Sequence, residues 1–265
     1  MKNERKPRKR DLTVYVVLRL FVIITLIIQL FRGNFENVFM CVLTLILFTI
    51  PIFIDKKLNI KLPTVLESII LMFIFAAEIL GEVQNFYNIF KYWDTMLHTI
   101  NGFLCAAIGF SLIDILNRSH KFHTNMSPAF VALVSFCFSM TIGVLWEFFE
   151  FSCDYFFNSD MQKDRLVTSI STVYLEPNGK NIPILVDNIQ STVIYSLDNS
   201  GDIIETKIDG GYLDIGIIDT MKDLMVNFVG AVVFSIIGLM YIKNRDEYKF
   251  AEAFMPVLKM DDTEN

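Results

Sequence analysis

The stretch that decides the fold is Trp93–Leu116, WDTMLHTINGFLCAAIGFSLIDIL. It is apolar over most of its length and long enough to cross a hydrocarbon core of about 30 Å, which takes about 20 residues of helix. It also opens with Asp94, His98 and Asn101, spaced i, i+4 and i+7. One helix face therefore carries a polar stripe into an otherwise apolar segment. Ionisable groups inside a membrane segment are costly, about 2.5–3.5 kcal/mol each at the helix centre, so those few residues hold most of the functional information.

Working outward, five further apolar blocks appear: about Leu12–Phe31, Asn37–Ile54, Thr64–Gly81, Ser127–Phe151 and Ile218–Ile242. Lipid offers no hydrogen bonds to the backbone, so each block is read as a helix. The fold expected is an all-α polytopic membrane protein with six transmembrane helices. It divides into a basic tail (1–11), helices one to five (12–151), a long loop (152–217), helix six (218–242) and a second tail (243–265). That second tail, charged from Asn244 on, is expected to be disordered or to lie on the surface. Over the whole chain, 53% of residues are hydrophobic, mean hydropathy is +0.47 and net charge is −6. The distribution of apolar residues, more than their total, sets this chain apart from a soluble domain.

Lys and Arg collect in residues 2–10, at Lys56, Lys57 and Lys61, at Arg118 and Lys121, and beyond Lys243, whereas the short alternate loops hold only Arg32 and Lys91. By the positive-inside rule both ends are expected in the cytoplasm of a bacterial plasma membrane. No Lys/Arg patch with interleaved aromatics points to nucleic acid. The lipid bilayer is the partner expected, with anionic lipid near the basic tail. Cys41, Cys105 and Cys137 fall in apolar blocks, Cys153 lies just beyond one, and no CxxC occurs, so no disulfide framework is expected. His120 and His123 read as a surface pair in an inner loop.

The loop changes character. Leu166–Leu175, Ile182–Val186, Thr192–Leu197 and Ile203–Ile208 read as strands, separated by Pro177-Asn178-Gly179 and Asp198-Asn199-Ser200-Gly201, with Thr192–Ile208 a hairpin. A bare connector of this length is unusual, so a small β-rich extracytoplasmic insert is expected.

The polar residues of four helices fall near one membrane face. Glu78 and Glu82 end block three; Glu147, Glu150 and Asp154 end block five; Asp219, Asp223 and Asn227 begin block six. With Asp94, that makes eight carboxylates against His98, Lys222 and Lys91. The excess negative charge calls for a bound metal, protons or a cationic substrate. The expected metal ligands are Asp94, His98, Glu147, Glu150, Asp219 and Asp223. Glu78, Glu82, Asn101, Asp154 and Asn227 support them, and His98 or Glu147 serves as general base. An oxygen-rich set with one imidazole suits Mg²⁺, Mn²⁺ or Ca²⁺ and admits Zn²⁺. The reading is a metal-dependent enzyme on a lipid-linked or cell-envelope substrate. The alternatives are a cation- or proton-coupled transporter and a non-catalytic scaffold; ordinary interhelical polar contacts would account for the same residues. Arg19 can reach Glu67.

Gly81-Glu82 through Tyr87, Trp93–His98, Trp146–Glu150 and Asp219–Asp223 with Asn227 and Gly230 resemble, in that order, the YjdF-like bacterial inner-membrane proteins, whose function is unknown. Asp94/His98 and Asp223/Asn227/Gly230 also resemble a pattern of VanZ-like proteins, which are linked to glycopeptide-antibiotic tolerance. Neither likeness implies a particular reaction; both imply a site at these helix ends.

Overall fold

The computed structural model describes residues 12–57, 60–118 and 126–258. The basic tail 1–11, His120, His123 and the last residues, 259–265, lie outside them. The elements run α1 (Leu12–Arg32), α2 (Phe35–Leu47), α3 (Ile50–Lys57), β1 (Ile60–Lys61) and α4 (Thr64–Ile74). A π-helix, Phe75–Val83, continues α4. Then come α5 (Phe86–Ile89), α6 (Trp93–Arg118), α7 (Pro128–Phe157), six short strands β2–β7, α8 (Ile217–Lys243), a 3-10 helix (Lys249–Phe254) and β8 (Val257–Leu258). Among the described residues six spans are long and apolar enough to cross a membrane: Thr13–Arg32, Phe35–Ile54, Thr64–Val83, Trp93–Asn117, Pro128–Phe157 and Ile217–Lys243. At about 1.5 Å per residue, the 30 residues of α7 overrun the hydrocarbon thickness.

The chain divides into two units, one of residues 1–146 and 223–265 and the other of residues 147–222. In the first, α1 packs on α2 and α4, around a core that includes Val22, Cys41, Phe48, Leu66 and Leu71. A second core joins Phe110, Val131, Ala231, Phe234 and Tyr241. Outward, α1 leaves Val16, Leu20, Phe21 and Ile24 exposed, as a lipid-facing helix would.

The second apolar block is two helices. Pro51 has no N–H to donate and its ring crowds the preceding turn, so α2 ends at Leu47 and α3 restarts at Ile50. Phe48 N–H donates to Thr44 O at 2.9 Å, and Thr49 spends both its N–H and its hydroxyl on Ile46 O. The third block is not a uniform α-helix either, because its last turns are π.

The segment after α8 corrects the expectation of a loose tail. Ala251 is fully buried, Met255 is buried, and the Phe254 ring meets Phe103 edge-on at 5.4 Å. β8 pairs antiparallel with β1, Lys61 opposite Val257. Arg245 explains the turn-back: its guanidinium lies 4.8 Å over the Tyr241 ring and 3.1 Å from Asp114 Oδ1. Here charge, which suggested disorder, is the anchor.

In the second unit, β2 (Leu166–Val167) pairs with β7 (Tyr212–Leu213), β3 (Ile170–Thr172) with β4 (Ile184–Val186), and β5 (Ser191–Leu197) with β6 (Ile203–Asp209), all antiparallel. The hairpin forms as read. The strand read over Leu166–Leu175 does not: it splits into β2 and β3, which pair with different partners. It ends in a turn where Glu176 N–H donates to Val173 O. The Glu176 carboxylate then accepts the N–H groups of Asn178 and Lys180. The Lys180 N–H in particular holds that carboxyl below its usual range.

Candidate functional site

The first unit brings α6, α7 and α8 together along a seam of small residues. A side chain at Gly102 would strike the Asn227 carbonyl, and one at Gly230 the Thr99 carbonyl, so α6 and α8 meet backbone to backbone. Gly143 on α7 lies under the Asn227 amide, where a Cβ would come within 2.7 Å of Nδ2. Ser139 and Ser135 on α7 donate to the α6 carbonyls of Gly102 and Ala106, each at 2.7 Å. Small residues permit this approach, and the hydroxyls fix the register.

At the head of the seam stand three ionisable side chains. Asp94 and His98, one turn apart on α6, bring Oδ1 and Nε2 to 3.4 Å. Asp223 of α8 brings Oδ2 to 3.9 Å from the same nitrogen. Side-chain exposures are 19% for Asp94, 12% for His98 and 3% for Asp223. One ligand atom from each of the three lies within 4.8 Å of the other two, and among the described residues this is the one such group of His, Cys, Asp or Glu. One turn deeper, Asn101 Nδ2 donates to Asn227 Oδ1 at 3.0 Å. Asn227 Nδ2 points to Met140 Sδ at 3.6 Å, and Cys105 Sγ to Asn101 Oδ1 at 3.4 Å. Asn227, 1% exposed, thus ties the three helices beneath the triad.

The donor set fits a divalent cation. Bond lengths of about 2.0–2.2 Å in tetrahedral geometry separate ligand atoms by about 3.3–3.6 Å; the 3.4 Å from His98 Nε2 to Asp94 Oδ1 lies within that span, and the 3.9 Å to Asp223 Oδ2 lies just beyond it. A cation held by these three side chains would keep positions open for water.

The other residues singled out from the sequence are placed as follows. Glu78 is buried in the π-helix, with Oε2 lacking a hydrogen-bond partner, and Glu82 follows it half-buried. Trp93 Nε1 donates to Ala76 O at 3.3 Å, fastening the π-helix to the start of α6. Arg19 stacks 4.4 Å over Tyr15. In the second unit Glu147 is buried and Glu150 half-buried. Asp154 accepts N–H groups of Met161 and Gln162 and the hydroxyl of Ser159, so it shapes the turn after α7. Asp219 is held by Arg165 at 2.8 Å, by the Lys163 N–H at 3.1 Å and, more loosely, by Lys222 at 4.0 Å.

Sequence reasoning missed Asp214 and Arg165. Asp214 caps α8: its carboxylate accepts the N–H of Arg165, Gly216 and Ile218 at 2.7, 3.2 and 2.8 Å. Burial pushes that carboxyl up, but the backbone N–H bonds outweigh it and hold it below the usual range. Asp164 moves the other way, raised by burial and by the charges of Asp160, Asp214 and Asp154. The signal for Asp214 was local, an Asp shortly before a helix. Arg165 sits too far from Asp219 in sequence for any spacing rule.

The comparisons with known proteins agree with a membrane protein. The model of a family described as predicted membrane protein (DUF2238) matches residues 13–244. The chain belongs to this family of predicted membrane proteins. An uncharacterized protein of Thermotoga maritima is 27% identical over 104 residues, which is 39% of this chain and 52% of that relative. No solved structure matches.

Proposed function

We propose that Asp94, His98 and Asp223 bind a divalent cation and that the site serves metal-assisted hydrolysis of a lipid-linked or cell-envelope substrate. The observation that carries this reading is the meeting of two carboxylates and an imidazole, from two helices, at the head of a packed apolar seam. Buried charges at such depth are retained where they do work. A bound cation would supply Lewis acidity and lower the pKa of a coordinated water. The chain's own residues do the rest. Asp94 and Asp223 offset positive charge, His98 presents Nε2 between them, and the Asn101–Asn227 bond fixes the angle between α6 and α8 on which the spacing depends.

The bias of Lys and Arg supports an arrangement with both ends inside, this site toward the outer leaflet and residues 152–217 outside a bacterial plasma membrane. The quoted motif pieces lie within the matched stretch, which supports the YjdF-like likeness. The carrier reading gains nothing from the seam. Ser111, Ser135 and Ser139 each spend their hydroxyl on a backbone carbonyl, so these three are committed to packing the helices.

Elemental analysis of gently purified protein tests the reading. Wild type should carry about one divalent ion per chain, and Asp223→Asn or His98→Ala should lose it. Metal-free wild type, unable to take up Mn²⁺ or Zn²⁺ on dialysis, would overturn it.

A further inference from the structure

We propose that strand β6 is a self-association edge, along which two copies of this chain pair antiparallel about Thr206 and join two hairpins into one four-stranded sheet. Among the described residues β5 and β6 pair only with each other. Both faces of the hairpin are open. Ile194 and Ile204 are each 46% exposed on one, and Tyr195, Leu197 and Ile203 are 68%, 70% and 72% exposed on the other. A lone two-stranded hairpin is marginal in water, and the unpaired edge of the seven-residue β6 offers its backbone groups to another strand.

The phase of the ladder selects the register. Asp198 N–H donates to Asp202 O at one end, and Gly210 N–H to Gln190 O at the other. With Ile194 opposite Thr206 between them, residues 204, 206 and 208 turn their backbone groups toward β5. Residues 203, 205, 207 and 209 therefore turn theirs outward, and a second copy must bond to these. A two-fold centred on Glu205 or on Lys207 sets like charges opposite each other. Centred on Thr206, it sets Glu205 opposite Lys207 of the second copy, twice, and Ile204 opposite Ile208. Lys207 pairs with Asp209 at 2.6 Å within its own strand and is 56% exposed, so it can exchange that surface partner for Glu205 of the second copy. The edge of β5 carries no charge that would choose a register. An isologous pair of this kind closes on itself and does not propagate.

The test uses the full chain in detergent and in native vesicles. About a two-fold at Thr206 the two Thr206 residues form a non-hydrogen-bonded pair with Cα atoms about 4.5 Å apart, within disulfide reach. Thr206→Cys should give a covalent dimer under mild oxidation, while wild type and Glu205→Cys stay monomeric on a non-reducing gel. Glu205→Lys should lower the uncrosslinked dimer population about fivefold, the scale of a cross-strand charge pair, and Glu205→Lys/Lys207→Glu should restore it. Absence of the Thr206→Cys dimer, a cross-link to a different protein, or a dimer indifferent to Glu205→Lys would each overturn the proposal.

Discussion

The α6–α8 seam and the β-rich stretch 152–217 solve the problem of holding polar groups in opposite ways. In the seam, backbone lies against backbone, and a few side chains, Asn101, Asn227, Ser135 and Ser139, bridge what little space remains. In the β-rich stretch the strands are short, and much of the order comes from carboxylates that collect backbone N–H groups: Asp154, Glu176 and Asp214. The first is a device of steric fit, so a single added carbon is felt. The second is a device of charge-assisted hydrogen bonds, so it is felt through pH.

The contrast breaks most sharply at the glycines. Gly102→Val or Gly230→Val should cost about 3 kcal/mol or more, because the obstacle is a carbonyl of the facing helix, and should abolish a monodisperse peak in detergent size-exclusion. Gly179 and Gly201 meet no heavy atom within 4 Å, so a side chain there faces only the left-handed backbone; Gly179→Asn should leave the peak intact. Next in size is Asn227→Leu, which strands the Asn101 amide and should lower thermal stability by about 1–2 kcal/mol.

In the other region, Asp214→Ala should cost up to about 2 kcal/mol and speed hydrogen exchange at Arg165, Gly216 and Ile218. The pH dependence has a definite sign. Asp214 is held below its ordinary value, so its contribution is present above the unfolded-state pKa, about 3.9, and is lost as pH falls through the folded one. Asp164 is raised, so its own ionisation costs stability as pH rises, and Asp164→Asn should remove that opposing slope. The smallest effect is expected at Ile215, a β-branched residue at φ +53° and 82% exposed. Ile215→Asn should stabilise by about 1 kcal/mol, read as a shift in melting temperature.

Much of this was legible in the residues. Block lengths and the scarcity of charges within them give the six spans, because lipid leaves the backbone little choice. The i, i+4 spacing of Asp94 and His98 placed them on one face, and the Asp223/Asn227 pair did the same on α8. Sequence spacing could not say which carboxylates meet. Three of the six named ligands, Asp94, His98 and Asp223, come together in the first unit, while Asp154 turns out to shape a turn and Asp219 to hold Arg165. Those outcomes depend on partners distant in sequence. The packing of Phe254 and Met255 was hidden for a related reason: a short apolar motif inside a charged segment carries no periodicity.

The π-helix at Phe75–Val83 has a consequence for how this chain tolerates insertions and deletions. Gln84 N–H reaches back to Ile79 O, five residues earlier and at 3.0 Å, so the last turn carries one residue more than an α turn. That extra residue acts as a phase shifter. It lets α4 address its neighbours in one angular setting while the Trp93 indole, bonded to Ala76, and the Tyr87 ring, lying against Gly81, engage the end of the same helix in another. Excising one residue here would let the helix rewind to α geometry with its two halves keeping their angular relation, whereas the same deletion from a plain α-helix would rotate one half by about 100° relative to the other.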